Sequence, residues 1–69
     1  MNIERIRERV ANGFKPFTIS TSDGRHYPVP HPDFIALGKN VIVVIGKNDR
    51  VSTLDALHIT SIEERLSQK

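Results

Sequence analysis

The sequence predicts a mainly β domain: a small, strongly bent, five-stranded antiparallel barrel with an N-terminal α-helix. Three observations carry that expectation. Helical periodicity is confined to residues 1–13, short β-branched runs follow it, and glycine or proline punctuates those runs. Such corners let few strands curl around a small core. The whole chain, residues 1–69, reads as a single domain, with the helix in 1–13, the barrel in 16–62 and a polar tail in 63–69.

Ile3, Ile6 and Val10 recur at helical spacing, and Asn12-Gly13 supplies residues that tolerate a left-handed C-terminal cap. A helix this short needs a surface to pack on. Phe17 and Ile19 then alternate with Thr18 and Ser20 as in a half-buried strand, and Asp23-Gly24 supplies the positive backbone dihedrals of a tight hairpin. Tyr27 and Val29 share one face of the next strand. Pro28 and Pro30 remove two ladder donors from it, which places it at an edge or a strong bend.

His31-Pro32-Asp33 reads as a turn closed by the Asp33 side chain, with Phe34 filling the core or, if exposed, offering a stacking platform for a base, and Phe34–Leu37 forming a short strand. After the Gly38-Lys39-Asn40 turn, Val41–Ile45 is a continuous β-branched run expected at the sheet centre and buried on both faces. Gly46–Arg50 is a polar hairpin loop. Beyond it Val51, Thr53 and Asp55 alternate weakly with Ser52 and Leu54, Asp55 can cap a single turn through Ala56-Leu57-His58, and Ile59–Ile62 is the last strand.

Composition excludes several function classes. Cysteine is absent, so no disulfide framework or thiolate metal site is available. The apolar run at 41–45 is far too short to span a bilayer, and charges at Glu4, Arg5, Arg7, Glu8 and Arg9 stand where a signal peptide would be apolar. A soluble cytoplasmic protein is expected. The net charge of +2 is carried by residues 1–15, in which Arg5, Arg7, Arg9 and Lys15 outnumber Glu4 and Glu8. His26, His31 and His58 match no zinc spacing and read as surface or turn residues. The hydroxyls of Thr18, Ser20, Thr21 and Ser22 lie near His26 across the hairpin, but the hairpin offers no oriented base or oxyanion hole. No cofactor, metal or catalytic residue is expected.

Lys15-Pro-Phe-Thr-Ile19, Asp23-Gly-Arg25, Val29, His31-Pro-Asp-Phe34 and Leu57–Ile62 together resemble a group of small uncharacterised bacterial proteins that share this phrase. That group carries no activity to transfer. The helix, the Thr18-to-Gly24 strand and turn, and the Asp55–Ile62 turn and strand are similar to the Sm-like barrels, within the broader SH3-like type, of the bacterial host-factor RNA chaperone and of the small inhibitor of the Rho terminator. This resemblance implies a ring that reads single-stranded RNA or a monomer that blocks a protein. The chaperone's Lys-His pair falls here on Ala56-Leu57, so the resemblance does not carry over its uridine-reading pore.

The expected function is therefore a non-catalytic binding or regulatory module, with single-stranded RNA as the leading ligand and Arg5, Arg9, Arg25 and Lys39 as candidate phosphate contacts. The alternative is a protein-interaction module that joins a partner through Ile3, Ile6, Val10 or Tyr27. A marginal core, an amphipathic helix and a proline-bearing edge also favour a homo-oligomer.

Overall fold

The computed structural model describes residues 2–64. The helix α1 spans Ile3–Ala11. Asn2 caps its start by accepting the Glu4 N–H at 2.9 Å, and Gly13 just beyond its end takes the left-handed conformation, with φ of 63°. Its apolar stripe faces inward as the spacing requires: Ile3 and Ile6 are buried in the core and Val10 packs half-buried against it.

Six strands follow: β1 Phe17–Thr21, β2 His26–Val29, β3 Ile35–Leu37, β4 Val41–Ile45, β5 Val51–Asp55 and β6 Ile59–Glu64. They form two antiparallel three-stranded sheets with orders β2-β1-β6 and β3-β4-β5. Among the described residues no ladder joins the two sheets, so the expected closed five-stranded barrel is not formed. The reason lies between Pro28 and Phe34. Prolines in and after β2 withhold ladder donors, and across the 3-10 turn Pro32–Phe34 the chain leaves the first sheet at β2 and enters the second at β3 without pairing between them. The weakly alternating Val51–Asp55 segment is meanwhile a full ladder partner of β4, which brings the strand count to six.

The expected hairpin joins β1 and β2, pairing Ile19 with Tyr27 and Ser20 with His26, and β2 lies at a sheet edge. Only Gly24 adopts a positive φ there, at 86°, and Asp23 does not. On the opposite side β1 pairs with β6, with a register shift between Ser20 and Thr21. β4 is the centre of its own sheet. It is not buried on both faces: Ile42 and Val44 are buried, Val43 and Ile45 half-buried and Val41 exposed. The outward face is the one Val43 shares with its cross-strand neighbours Ala36 and Thr53, both exposed.

One core joins both sheets and the helix, with Ile6, Phe17, Ile19, Val29 and Ile42 its largest fully buried side chains. Phe34 is not part of it. It is 37% exposed and meets His31 edge-on at 5.7 Å, while the turn it ends is closed by its own N–H on the His31 carbonyl at 3.1 Å rather than by the Asp33 side chain. The final turn, Ala56–His58, is capped as the sequence predicts, with Asp55 Oδ1 accepting the Leu57 N–H at 2.9 Å. Main-chain bonds tie it to both sheets, Ser22 N–H to the His58 carbonyl at 2.8 Å and Ala56 N–H to the Asn40 carbonyl at 3.0 Å. Glu63 and Glu64 belong to β6 and not to a tail, and the rest of that expected tail lies outside the described residues.

Candidate nucleic-acid interface

The free edge of β2 faces the β4–β5 hairpin across the boundary between the sheets, and the space between them is a cleft of about 390 Å³. Two tight turns deliver its charges. On one side, Thr21 N–H donates to the Arg25 carbonyl at 3.0 Å and Gly24 N–H to the Thr21 carbonyl at 3.0 Å, which sets Arg25 at the entry to β2. On the other, Gly46 N–H donates to the Arg50 carbonyl at 2.7 Å across a loop in which Asn48 and Asp49 take left-handed φ values of 59° and 60°. That closure sets Arg50 at the entry to β5.

Arg25, His26, Tyr27, Arg50 and Ser52 thus line one cleft, and no carboxylate is in its lining. Arg50 has no ion pair among the described residues. Arg25 has one, with its Nε 3.5 Å from Asp23 Oδ2, but both side chains are mostly exposed and such a pair exchanges readily for another anion. His26 Nδ1 lies 2.9 Å from Ser20 Oγ across the strand pair, a contact that fixes the ring at the cleft wall. Two guanidinium forks beside an imidazole and a phenol suit a phosphate with an adjoining planar group.

Asp23 is held in the hairpin itself. Its carboxyl is held below the ordinary value of 3.8, first because the Thr21 hydroxyl donates to it; desolvation opposes this, and the Arg25 N–H and the Arg25 charge lower it further.

Sequence spacing places Arg5 and Arg9 on one helix face, and the structure does bring them together, with Lys15, in a groove of about 650 Å³ between α1 and β6. Glu8 and Glu64 line the same groove, and Arg9 Nη1 is 2.5 Å from Glu64 Oε2. Arg9 is thereby committed within the chain, and Arg5 and Lys15 remain as its unpaired cations among the described residues. Arg7 bridges elsewhere, to Glu4 at 3.4 Å and to the Gly38 carbonyl at 3.2 Å. Lys39 is exposed on the β3–β4 turn and lines neither space. Of the apolar residues expected at a partner interface, Ile3 and Ile6 are enclosed in the chain's own core, Val10 is half-buried there, and Tyr27 lines the cleft.

Arg50 is the residue that sequence reasoning missed. Its place in a polar loop gives no local signal, and its nearness to Arg25 follows only from the way the two sheets face each other. Among the described residues no group of three histidines or acids could hold a metal ion, and no helix is long and apolar enough to cross a membrane. No protein-family model, curated protein or solved structure matches the chain.

Proposed function

We propose that the protein is a non-catalytic binding module for single-stranded RNA, whose phosphate-contacting residues are Arg25 and Arg50, with Tyr27 as the stacking surface. One observation carries this reading: a cleft between the sheets gathers two guanidiniums, an imidazole and a phenol, with no carboxylate in its lining. Arg5 and Lys15 add a secondary cationic track along the helix, where Arg9 is already paired. Filter binding to mixed-sequence single-stranded RNA at two salt concentrations tests it. Affinity should fall steeply with salt, and Arg25→Ala with Arg50→Ala should flatten the log-log slope by about 0.7 for each phosphate that is no longer neutralised. Absence of binding at the lower salt would overturn the reading.

A second reading, a protein-interaction module or a self-associating chain, is favoured by Leu57. It is 86% exposed on the Ala56–His58 turn, and Val51 is 61% exposed at the start of β5. Light scattering at micromolar concentration tests self-association. An interface built on Leu57 should be lost in Leu57→Ser and should respond little to salt.

A further inference from the structure

Tyr27 lines a second cleft as well as the basic one, and it is the one side chain common to both linings. This second space, about 470 Å³, runs from the Thr21–Asp23 hairpin tip to Thr53, Asp55 and His58, and its charged side chains are acidic. Both volumes fall in the range of small-ligand sites, roughly 300–1,000 Å³. Tyr27 is therefore a wall shared by two adjoining clefts, one lined by Arg25 and Arg50 and the other by Asp23 and Asp55, with Asp23 and Arg25 ion-paired at the hairpin tip between them.

The two carboxylates differ in what they can still accept. Asp23 is engaged by the Thr21 hydroxyl, the Arg25 N–H and the Arg25 guanidinium. Asp55 uses Oδ1 to cap Leu57, and its Oδ2 has no hydrogen-bond partner among the described residues. An ionised carboxylate only accepts. A nucleotide held by its phosphate at Arg25 and Arg50 with its base stacked on Tyr27 would turn the base edge to the adjoining cleft, which Asp55 lines. Cytosine and adenine carry an exocyclic amine that donates to the Asp55 carboxylate, whereas uracil presents a carbonyl oxygen in the corresponding place, acceptor against acceptor.

We infer that the paired clefts select bases bearing an exocyclic amine and discriminate against uracil, with Asp55 as the residue that reads the amine. This rests on the single-stranded RNA reading of the basic cleft and adds a base preference to it. Cytosine and uracil make the sharpest comparison, since both are pyrimidines with similar stacking surfaces.

The experiment is fluorescence anisotropy of the full chain with labelled oligocytidine and oligouridine of equal length at low salt. Oligocytidine should bind more tightly, by roughly fivefold to tenfold for one solvent-facing hydrogen bond to a charged acceptor. Asp55→Asn keeps a capping oxygen for Leu57 and turns the reading group into an amide that can donate, so the preference should vanish or reverse while thermal melting is unchanged. Oligo-N4,N4-dimethylcytidine, which has lost both amine hydrogens, should bind the wild-type chain as weakly as oligouridine, and this arm needs no variant. Equal wild-type affinity for the two pyrimidines overturns the base preference and leaves RNA binding standing. Failure to bind either oligonucleotide overturns both readings. A preference for cytidine that persists in folded Asp55→Asn overturns the role of Asp55.

Discussion

Arg9 and Glu64 meet at 2.5 Å and fasten the last turn of the helix to the end of the final strand. Both side chains are about a third exposed or more, so the pair contributes on the order of 0–1 kcal/mol to stability. Its larger effect is on charge, because it withdraws Arg9 from the helix groove. Glu64→Gln should leave the melting temperature nearly unchanged and strengthen low-salt RNA binding, steepening the salt slope by about 0.7 as Arg9 becomes available. An unchanged slope would show that the helix groove takes no part in binding.

Ile42 and Val43 are neighbours on β4 with opposite surroundings. Ile42 is fully buried, whereas Val43 shares its face with exposed Ala36 and Thr53. Ile42→Asp should abolish the folded state, since an unpaired buried carboxylate costs several kcal/mol and a small domain has only about 5 kcal/mol to lose. Val43→Asp should remain folded with reduced stability. Circular dichroism of the two purified variants distinguishes them, and an unfolded Val43→Asp chain would contradict the outward placement of that face.

Asp55→Ala removes the cap of the Ala56–His58 turn and should cost about 1 kcal/mol, while Asp55→Asn retains an equivalent acceptor and should cost a few tenths at most. Urea denaturation reads both. Equal losses in the two variants would mean that the charge, and not the capping bond, holds the turn.

The Asp23 carboxyl should titrate below 3.8 in the folded chain, mainly because the Thr21 hydroxyl donates to its ionised form. A lowered folded value means that this contribution to stability is fully present above the ordinary carboxylate range. It is lost as pH falls through the lowered folded value. Carboxyl carbon chemical shifts followed by NMR measure the midpoint, and Thr21→Val should move it up toward 3.8. A midpoint unaffected by that substitution would remove the hydroxyl as the cause.

Local chemistry made much of this fold legible. The Ile3-Ile6-Val10 stripe, the Gly24 turn, the edge position of Pro28 and the Asp55 cap each depend on residues close in sequence, and each stands in the structure as those residues require. What sequence could not supply was long-range. A β-branched run such as Val41–Ile45 looks the same whether one face or two are covered, and Phe34 carries no mark that the core is already filled by Phe17 and its neighbours. The candidate site divides in the same way. Arg25 was visible beside its turn, but its companion Arg50 lies on another sheet, and the engagement of Arg9 required knowing where β6 ends.

The boundary between the two sheets is crossed by the chain at Pro32–Phe34 and at Ala56–His58, and by side-chain packing, with no ladder of main-chain bonds along it among the described residues. Side-chain packing in the shared core, with main-chain bonds at the Ala56–His58 turn, is what holds the two sheets together. A molecule gripped at Arg25 on one side and Arg50 on the other would act as a strap over that seam, lending from outside the closure that a barrel obtains from its own strands.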